Sequence, residues 1–338
     1  MDESLKRADL SYLPDEVAVA AREFVTHKYR IDIAGRSSPE NISHDLHGFS
    51  AGGEFGPHFG LSFFCNIIPF LPSDWEPQQE EELLVPTSHT FGCSWRWWPD
   101  RYCDKEDERK IKRHIFSRFG LESTSYTFIP QFGLYCPSEG KNRVNFCRYH
   151  KIEHIPARVF THDYPEAERI SLYVLNVAGG IDVWAVLDGR YAQKISHYNY
   201  ALPLLRAYGV TIYGKWPAHY PSISKLLDNE LSCREDLAFH NNVIDMKAVN
   251  DVLARNLSDR LDRDLFEKTN ILYSSLIEMS WFVLLATLIC MVTLIVFNFS
   301  EDGAIREFTF SLAIFIFGAI SMSIALVFLI KRKLKQML

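Results

Sequence analysis

The residues best suited to chemistry are cations set among aromatic rings. Residues 95–98 place three tryptophans around one arginine, and two later segments add more basic side chains. Cations bind phosphates and flat rings stack on nucleobases, which is how many proteins hold nucleotides and short single strands. The pattern therefore predicts a site for a nucleotide or oligonucleotide. Its candidate ligand-binding residues are Trp95, Arg96, Trp97, Trp98, Arg109, Lys112, Arg113, Arg143, Arg148, His150 and Lys151.

The same residues also permit a simpler interpretation. Acidic side chains at Asp104, Glu106, Asp107 and Glu108 can neutralise the cations of the charged stretch locally. The region would then be a solvated charged helix beside a buried tryptophan cluster, with no ligand.

Histidines and carboxylates form a second candidate group, because zinc binds both. They are His44, Asp45, His47, Glu54 and His58, and farther along His150, His154, His162 and Asp163. No His-Glu-x-x-His motif, Walker loop or Gly-x-Ser-x-Gly elbow accompanies them. We therefore expect no metal site, no cofactor and no catalytic residues.

The elements that must position these residues alternate between helical and extended patterns. Helices are predicted near residues 14–25, 104–119, 196–208 and 222–231. Strands are predicted at 61–71, 126–135, 143–149, 170–177 and 181–187. This mixture predicts an α+β domain over residues 1–245, either undivided or split into two subdomains near residue 165. The flanking charges described below predict that this domain is cytoplasmic, and the resemblance given below implies that it is a sensor.

Composition limits the classes further. The chain has 338 residues and a net charge of −6, which excludes a wholly basic nucleic-acid binder. Its seven cysteines are irregularly spaced and form no Cys-x-x-Cys pair, so we expect free, buried thiols.

Residues 246–275 predict an amphipathic stalk helix. Apolar residues recur there at spacings of three and four among acids and arginines, namely Val249, Val252, Leu253, Leu257, Leu261 and Leu265. No glycine or proline interrupts the chain from Met246 to Phe299, so one continuous helix is expected there. This stripe of apolar residues has two interpretations. The helix either transmits a movement to the membrane and associates with other copies, or it simply packs on the chain's own domain.

Residues 276–338 predict a transmembrane hairpin with a basic tail. Met279–Ser300 and Phe308–Ile330 are uncharged runs of 22 and 23 residues, each long enough to span a hydrocarbon core of about 30 Å. The link between the two runs, residues 301–307, carries mostly acidic side chains, whereas Lys331, Arg332 and Lys333 follow the second run. The positive-inside rule then places both chain ends in the cytoplasm and the link outside.

Small and hydroxyl side chains within this hairpin predict either close helix packing or the lining of a pore. The candidate residues are Ser280, Thr287, Cys290, Thr293, Gly318, Ala319, Ser321 and Ser323. Glu278, at the cytoplasmic mouth of the first helix, is a further candidate that could form a charged ring in an oligomer.

This layout resembles bacterial anti-phage membrane effectors of the Hailong, retron and nucleotide-signalling types. The resemblance rests on Met246–Leu338 as an architecture together with the basic-aromatic region. It implies an oligomeric, ligand-gated channel or membrane-disrupting protein that senses a nucleotide or short nucleic acid. The expected partners are the lipid bilayer, further copies of the chain (a tetramer or similar) and a ligand made by a partner enzyme. The alternatives are a membrane-anchored metal-dependent hydrolase and a non-enzymatic membrane scaffold.

Overall fold

The computed structural model describes residues 5–49, 55–73, 80–93, 98–177, 179–235, 238–239, 242–299 and 301–337. The chain divides into two compact units, Met1–Asn250 and Asp251–Leu338. The helices of the first unit are α1 (Asp15–Ser37), α2 (Gly60–Ile67), α3 (Lys105–Ile115), α4 (Arg118–Glu122), α5 (Lys141–Tyr149), α6 (Tyr198–Tyr208) and α7 (Ile223–Asp228). Two long helices follow, α8 (Met246–Phe299) and α9 (Gly303–Met337).

The strands fall into separate sheets. They are β1 (Lys6–Arg7), β2 (His47–Phe49), β3 (Phe55–Pro57), β4 (Glu80–Pro86), β5 (Ser125–Ile129), β6 (Leu134–Glu139), β7 (His154–Thr161), β8 (Ile170–Val177), β9 (Gly180–Leu187), β10 (Tyr191–Lys194), β11 (Thr211–Tyr213) and β12 (Ile244–Asp245). One sheet has the order β1-β4-β7-β5-β6, a second has β11-β8-β9-β10-β12, and β2 pairs with β3. The predicted mixture of helices and strands is confirmed.

The strand pair around Gly179-Gly180 also agrees with the prediction. β8 and β9 form an antiparallel hairpin whose register runs from Ile170 opposite Leu187 to Val177 opposite Gly180. Leu172, Val183 and Ala185 contribute to the larger core from one face. Trp184 and Val186 are also buried, so β9 is covered on both faces from Val183 to Leu187.

Two predicted strands are wrong, because both segments are helices. Residues 61–71 contain α2, in which Phe63, Phe64 and Ile67 are buried at helical spacing. Residues 143–149 belong to α5, which buries Val144 and Cys147 one turn apart. A short apolar run has no period long enough to separate a strand from a buried helix, so the sequence was ambiguous at both places.

Two hydrophobic clusters hold the first unit together. The larger one gathers α1, α2, α6 and the second sheet, and it takes buried residues from both sides of residue 165, such as Phe24 and Leu187. The smaller one lies between the first sheet and α5, around Val85, Val144 and Ile155. Helix α1 packs in the larger cluster and helix α5 packs in the smaller one. Polar residues on these two helices can therefore meet beside both cores.

The second unit is formed by most of α8 together with α9. Both helices are long and apolar enough to cross a membrane. Near the link, the rings of Phe297 and Phe310 are 5.9 Å apart, and farther along Tyr273 and Lys331 line one shared cavity. The two helices therefore run antiparallel. Large side chains such as Trp281 and Phe315 are exposed, as expected of surfaces that contact lipid.

Candidate functional site

Helix α5 directs two polar side chains inward where apolar ones would be expected. Asn145 and Arg148 are three residues apart and therefore share one helical face. Asn145 is only 4% exposed, and neither atom of its amide has a hydrogen-bond partner among the described residues. Gly92 lies so close to this amide that position 92 has no room for a larger residue. A buried amide without partners costs free energy, so this position calls for an explanation.

Arg148 is held by contacts that leave part of its guanidinium unused. The group stacks 4.6 Å from the centre of the Tyr29 ring, and its Nη2 donates to the carbonyl oxygen of Thr90 at 3.4 Å. Within the described residues, its buried Nη1 has no hydrogen-bond partner. Burial lowers the pKa of Arg148, and the nearby Tyr29 and Asp32 partly oppose that shift.

A buried ion pair on α1 lies behind this arginine. Lys28 Nζ donates to both carboxylate oxygens of Asp32, at 2.6 Å and 2.5 Å, and both side chains are almost fully buried. The Lys28 ammonium also lies 5.5 Å from the centre of the Phe63 ring. Lys28 and Arg148 together supply two positive charges against the one negative charge of Asp32. The centre therefore has an excess of positive charge in a setting of low polarity, which favours an anion.

Arg148 also lines an open cleft of about 680 Å³ between α1, the end of β4 and the end of α5. The polar residues of its wall are Arg22, Thr26, Thr87, Ser88, Arg148, Lys151, Glu153 and His154. Three of these side chains carry a fixed positive charge and one carries a negative charge. Lys151 adopts a left-handed backbone conformation, with φ of 56°, directly after α5. A cleft with this surplus of cations is suited to a phosphate-bearing ligand.

His89 helps to position Arg22 at this cleft. Burial lowers the pKa of His89, and the positive charge of Arg22 lowers it further, whereas a hydrogen bond to Gly133 opposes both. The neutral ring donates from Nδ1 to the carbonyl oxygen of Gly133 at 3.0 Å and accepts from Arg22 at Nε2, at 3.5 Å. The tautomer follows from these two partners.

The structure brings only part of the predicted basic-aromatic region together. Arg148 and Lys151 meet in the cleft, whereas Trp98 and Arg143 line a different cavity of about 550 Å³. The Arg143 guanidinium donates to the carbonyl oxygen of Gly120 at 2.8 Å and to Ser123 Oγ at 3.1 Å, so it ties α5 to α4.

The remaining predicted residues lie elsewhere. Arg109, Lys112 and Arg113 are exposed on α3. His150 packs among rings, with its centroid 4.3 Å from Phe146 and 5.8 Å from Trp98. Trp95, Arg96 and Trp97 fall outside the described residues.

Sequence reasoning missed Arg22, Lys28, Asp32 and Asn145. A signal for two of them was present, because Lys28 and Asp32 continue the apolar face of α1 formed by Ala21, Phe24 and Val25. Two charges four residues apart on such a face indicate a buried ion pair. Arg22 and Asn145 carry no comparable local signal.

The histidine group does not assemble into a metal site within the described part of the chain, which holds no cluster of three or more possible ligands. His58 Nε2 instead lies 2.7 Å from the carbonyl oxygen of His44, and His197 pairs with Asp45. Glu54 lies outside the described residues.

Comparisons with protein-family models, with curated proteins and with solved structures return no match for this chain. The cleft and the two long apolar helices are therefore the observations on which a function can be built.

Proposed function

We propose that this protein is a ligand-responsive membrane effector. The first unit binds a phosphate-bearing ligand, a nucleotide or short oligonucleotide, in the cleft beside Arg148. The two long apolar helices are the output, and several copies together form a pore or disrupt the bilayer. The observation that carries this proposal is the unbroken course of α8, which begins inside the α/β domain and ends after a membrane-length apolar run.

The start of α8 is firmly attached to the domain. Met246 and Val249 are buried, and the Met246 amide donates to the carbonyl oxygen of Arg190 at 2.9 Å. Asp245 accepts hydrogen bonds from Arg190 Nη2 at 2.6 Å and from the Lys247 amide at 2.9 Å. A helix whose first turn is fixed in this way can carry a displacement along its length, because its backbone hydrogen bonds keep it stiff.

Two further points support the proposal: the positive charge of the cleft and the need for several copies to form a pore. The cleft offers cations for phosphate oxygens, and an oligomer is needed because two helices cannot enclose a water column. The resemblance to anti-phage membrane effectors fits a domain-plus-hairpin chain that acts at a bacterial inner membrane, with the domain in the cytoplasm.

Thr293 and Ala286 of α8 are buried in the helix pair, which supports a packing role for the small residues near them.

Ion flux from liposomes that contain the purified full-length chain tests this proposal. ATP, NAD and cyclic dinucleotides are added in turn, and at least one of them is expected to raise the flux. The Arg148→Gln variant should abolish the response, because it removes the cation at the cleft wall. Arg109→Gln is the matched control, since Arg109 is exposed on α3 and should leave the response intact. Liposomes that stay sealed under every condition would overturn the proposal.

A further inference from the structure

Helix α8 exposes an apolar stripe in its first half. Leu257 and Leu261 are each 60% exposed, although leucines four residues apart on one face usually pack against a partner. Ala254 is exposed on the same side of the helix. We call Ala254, Leu257 and Leu261 the stalk surface.

Helix α9 does not reach the stalk surface. Lys331 lines the same cavity as Tyr273, and α9 continues from there only to Met337, which is less than two helical turns. Leu261 lies more than three turns before Tyr273 on α8. The part of α8 that carries the stalk surface therefore extends beyond the end of its antiparallel neighbour.

The charges around the stalk surface fit a second copy better than a strongly charged partner. From residue 251 to 268 the sequence holds five acidic and four basic side chains, and the two signs alternate along the helix. These residues are Asp251, Arg255, Asp259, Arg260, Asp262, Arg263, Asp264, Glu267 and Lys268. Two copies of such a surface do not repel each other, and opposite charges can pair across the contact.

A helix of this kind also gains from association. Helices in proteins gain most of their stability from packing an apolar face against a partner. Burial of a leucine side chain contributes free energy in proportion to the apolar area removed from water. The exposed leucines thus favour contact with the same face of another α8.

We propose that the stalk surface binds the stalk surface of a second copy of this chain. This contact would hold together the subunits of the proposed oligomer. The inference rests on the proposed function only where it assigns the contact that purpose. Ala254, Leu257 and Leu261 are spaced by three and then four residues, the alternation with which two helices pack side by side in a coiled coil.

Cysteine cross-linking of the full-length chain in liposomes tests the contact. Under mild oxidation, Leu261→Cys should give a covalent dimer at a yield several-fold above that of the parent chain. Arg263→Cys is the matched control, because it lies two residues away on the opposite side of the helix and should stay at the parent level. Equal yields for the two variants would overturn the inference.

The mass of the full-length chain in detergent provides a second measurement. The double variant Leu257→Asp with Leu261→Asp should shift the assembly toward monomer. The control double variant Phe266→Asp with Ile271→Asp places the same two charges on exposed apolar residues outside the stalk surface and should leave the mass unchanged. An unchanged mass for the stalk-surface double variant contradicts the inference. Cross-linking without ligand-dependent flux would count against the proposed function alone, and flux without cross-linking would count against the stalk contact alone.

Discussion

At the scale of single residues, the buried pair of Lys28 and Asp32 is the least expected feature of the core. A buried ion pair is on balance no more stabilising than well-packed apolar side chains of the same size. Its position beside Arg148 gives it a role, because Asp32 acts electrostatically on that guanidinium. Asp32 thus partly offsets the cost of burying a second cation, Arg148, at the wall of the cleft.

Removal of one partner should reveal how strongly this centre depends on charge balance. Asp32→Asn leaves the Lys28 ammonium buried without its counter-ion, so we expect a loss of about 3–5 kcal/mol of stability. Glu106→Gln is the matched control, because Glu106 forms an exposed pair with Lys110 at the same i,i+4 spacing. Its cost should stay below about 0.5 kcal/mol. Thermal unfolding of both full-length variants in detergent measures the difference, and equal losses would contradict the role assigned to burial.

His89 predicts a pH dependence of stability at the same site. Its pKa is lowered in the folded chain, so below its ordinary value of 6.5 the unfolded chain binds a proton that the folded chain does not. Stability should therefore fall as the pH drops from 6.5 toward the lower folded pKa, and it should be insensitive above 6.5. His89→Asn should flatten this part of the profile. Melting temperatures between pH 7.5 and 5 provide the measurement, and an unchanged slope in the variant would refute the assignment.

At the scale of elements, the length of a pattern decided what the sequence could predict. The course of α8 and the apolar run of α9 were predicted, because dozens of residues follow one rule there. α2 and α5 were predicted as strands, because each offers only a few apolar residues and either period fits them. Their packing against sheets and other helices settled the conformation.

The candidate site was predictable only in part for the same reason. Arg148 and Lys151 were selected for their charge, but the sequence grouped them with tryptophans instead of with Arg22. Arg22 precedes Arg148 by more than a hundred residues, and α1 meets α5 only through the tertiary fold. Unpaired buried groups such as the Asn145 amide are likewise visible only in three dimensions.

The continuity of α8 gives a prediction at this scale. Asn270→Pro removes a backbone hydrogen bond and kinks the helix at a cost of about 3 kcal/mol or more. The variant should still bind the ligand through the cleft, but ligand should no longer raise ion flux. Asn270→Ala keeps the helix intact and should behave like the parent chain. Calorimetric binding and liposome flux are measured on the same preparations. A proline variant with a normal flux response would show that coupling does not run through this helix.

At the scale of the whole molecule, the distribution of charge predicts how the chain sits in a membrane. Between the two apolar runs the chain carries Glu301, Asp302 and Glu307 against Arg306 alone, whereas Lys331 and Arg332 follow the second run. Basic residues near a membrane-spanning helix favour the cytoplasmic side. With two crossings, the α/β domain and the C-terminus should then share the cytoplasm, where a nucleotide ligand would be available to the cleft.

Labelling of bacterial spheroplasts with a membrane-impermeant maleimide tests this orientation. Gly303→Cys lies at the start of α9, between the two apolar runs, and should be labelled from outside, at a level clearly above the parent chain with its own cysteines. Lys215→Cys lies at an exposed position of the α/β domain and should be labelled only after the membrane is opened. Each variant thus serves as the control for accessibility of the other. The reverse pattern would place the cleft outside the cell, and the proposed sensing of a cytoplasmic nucleotide would then fail.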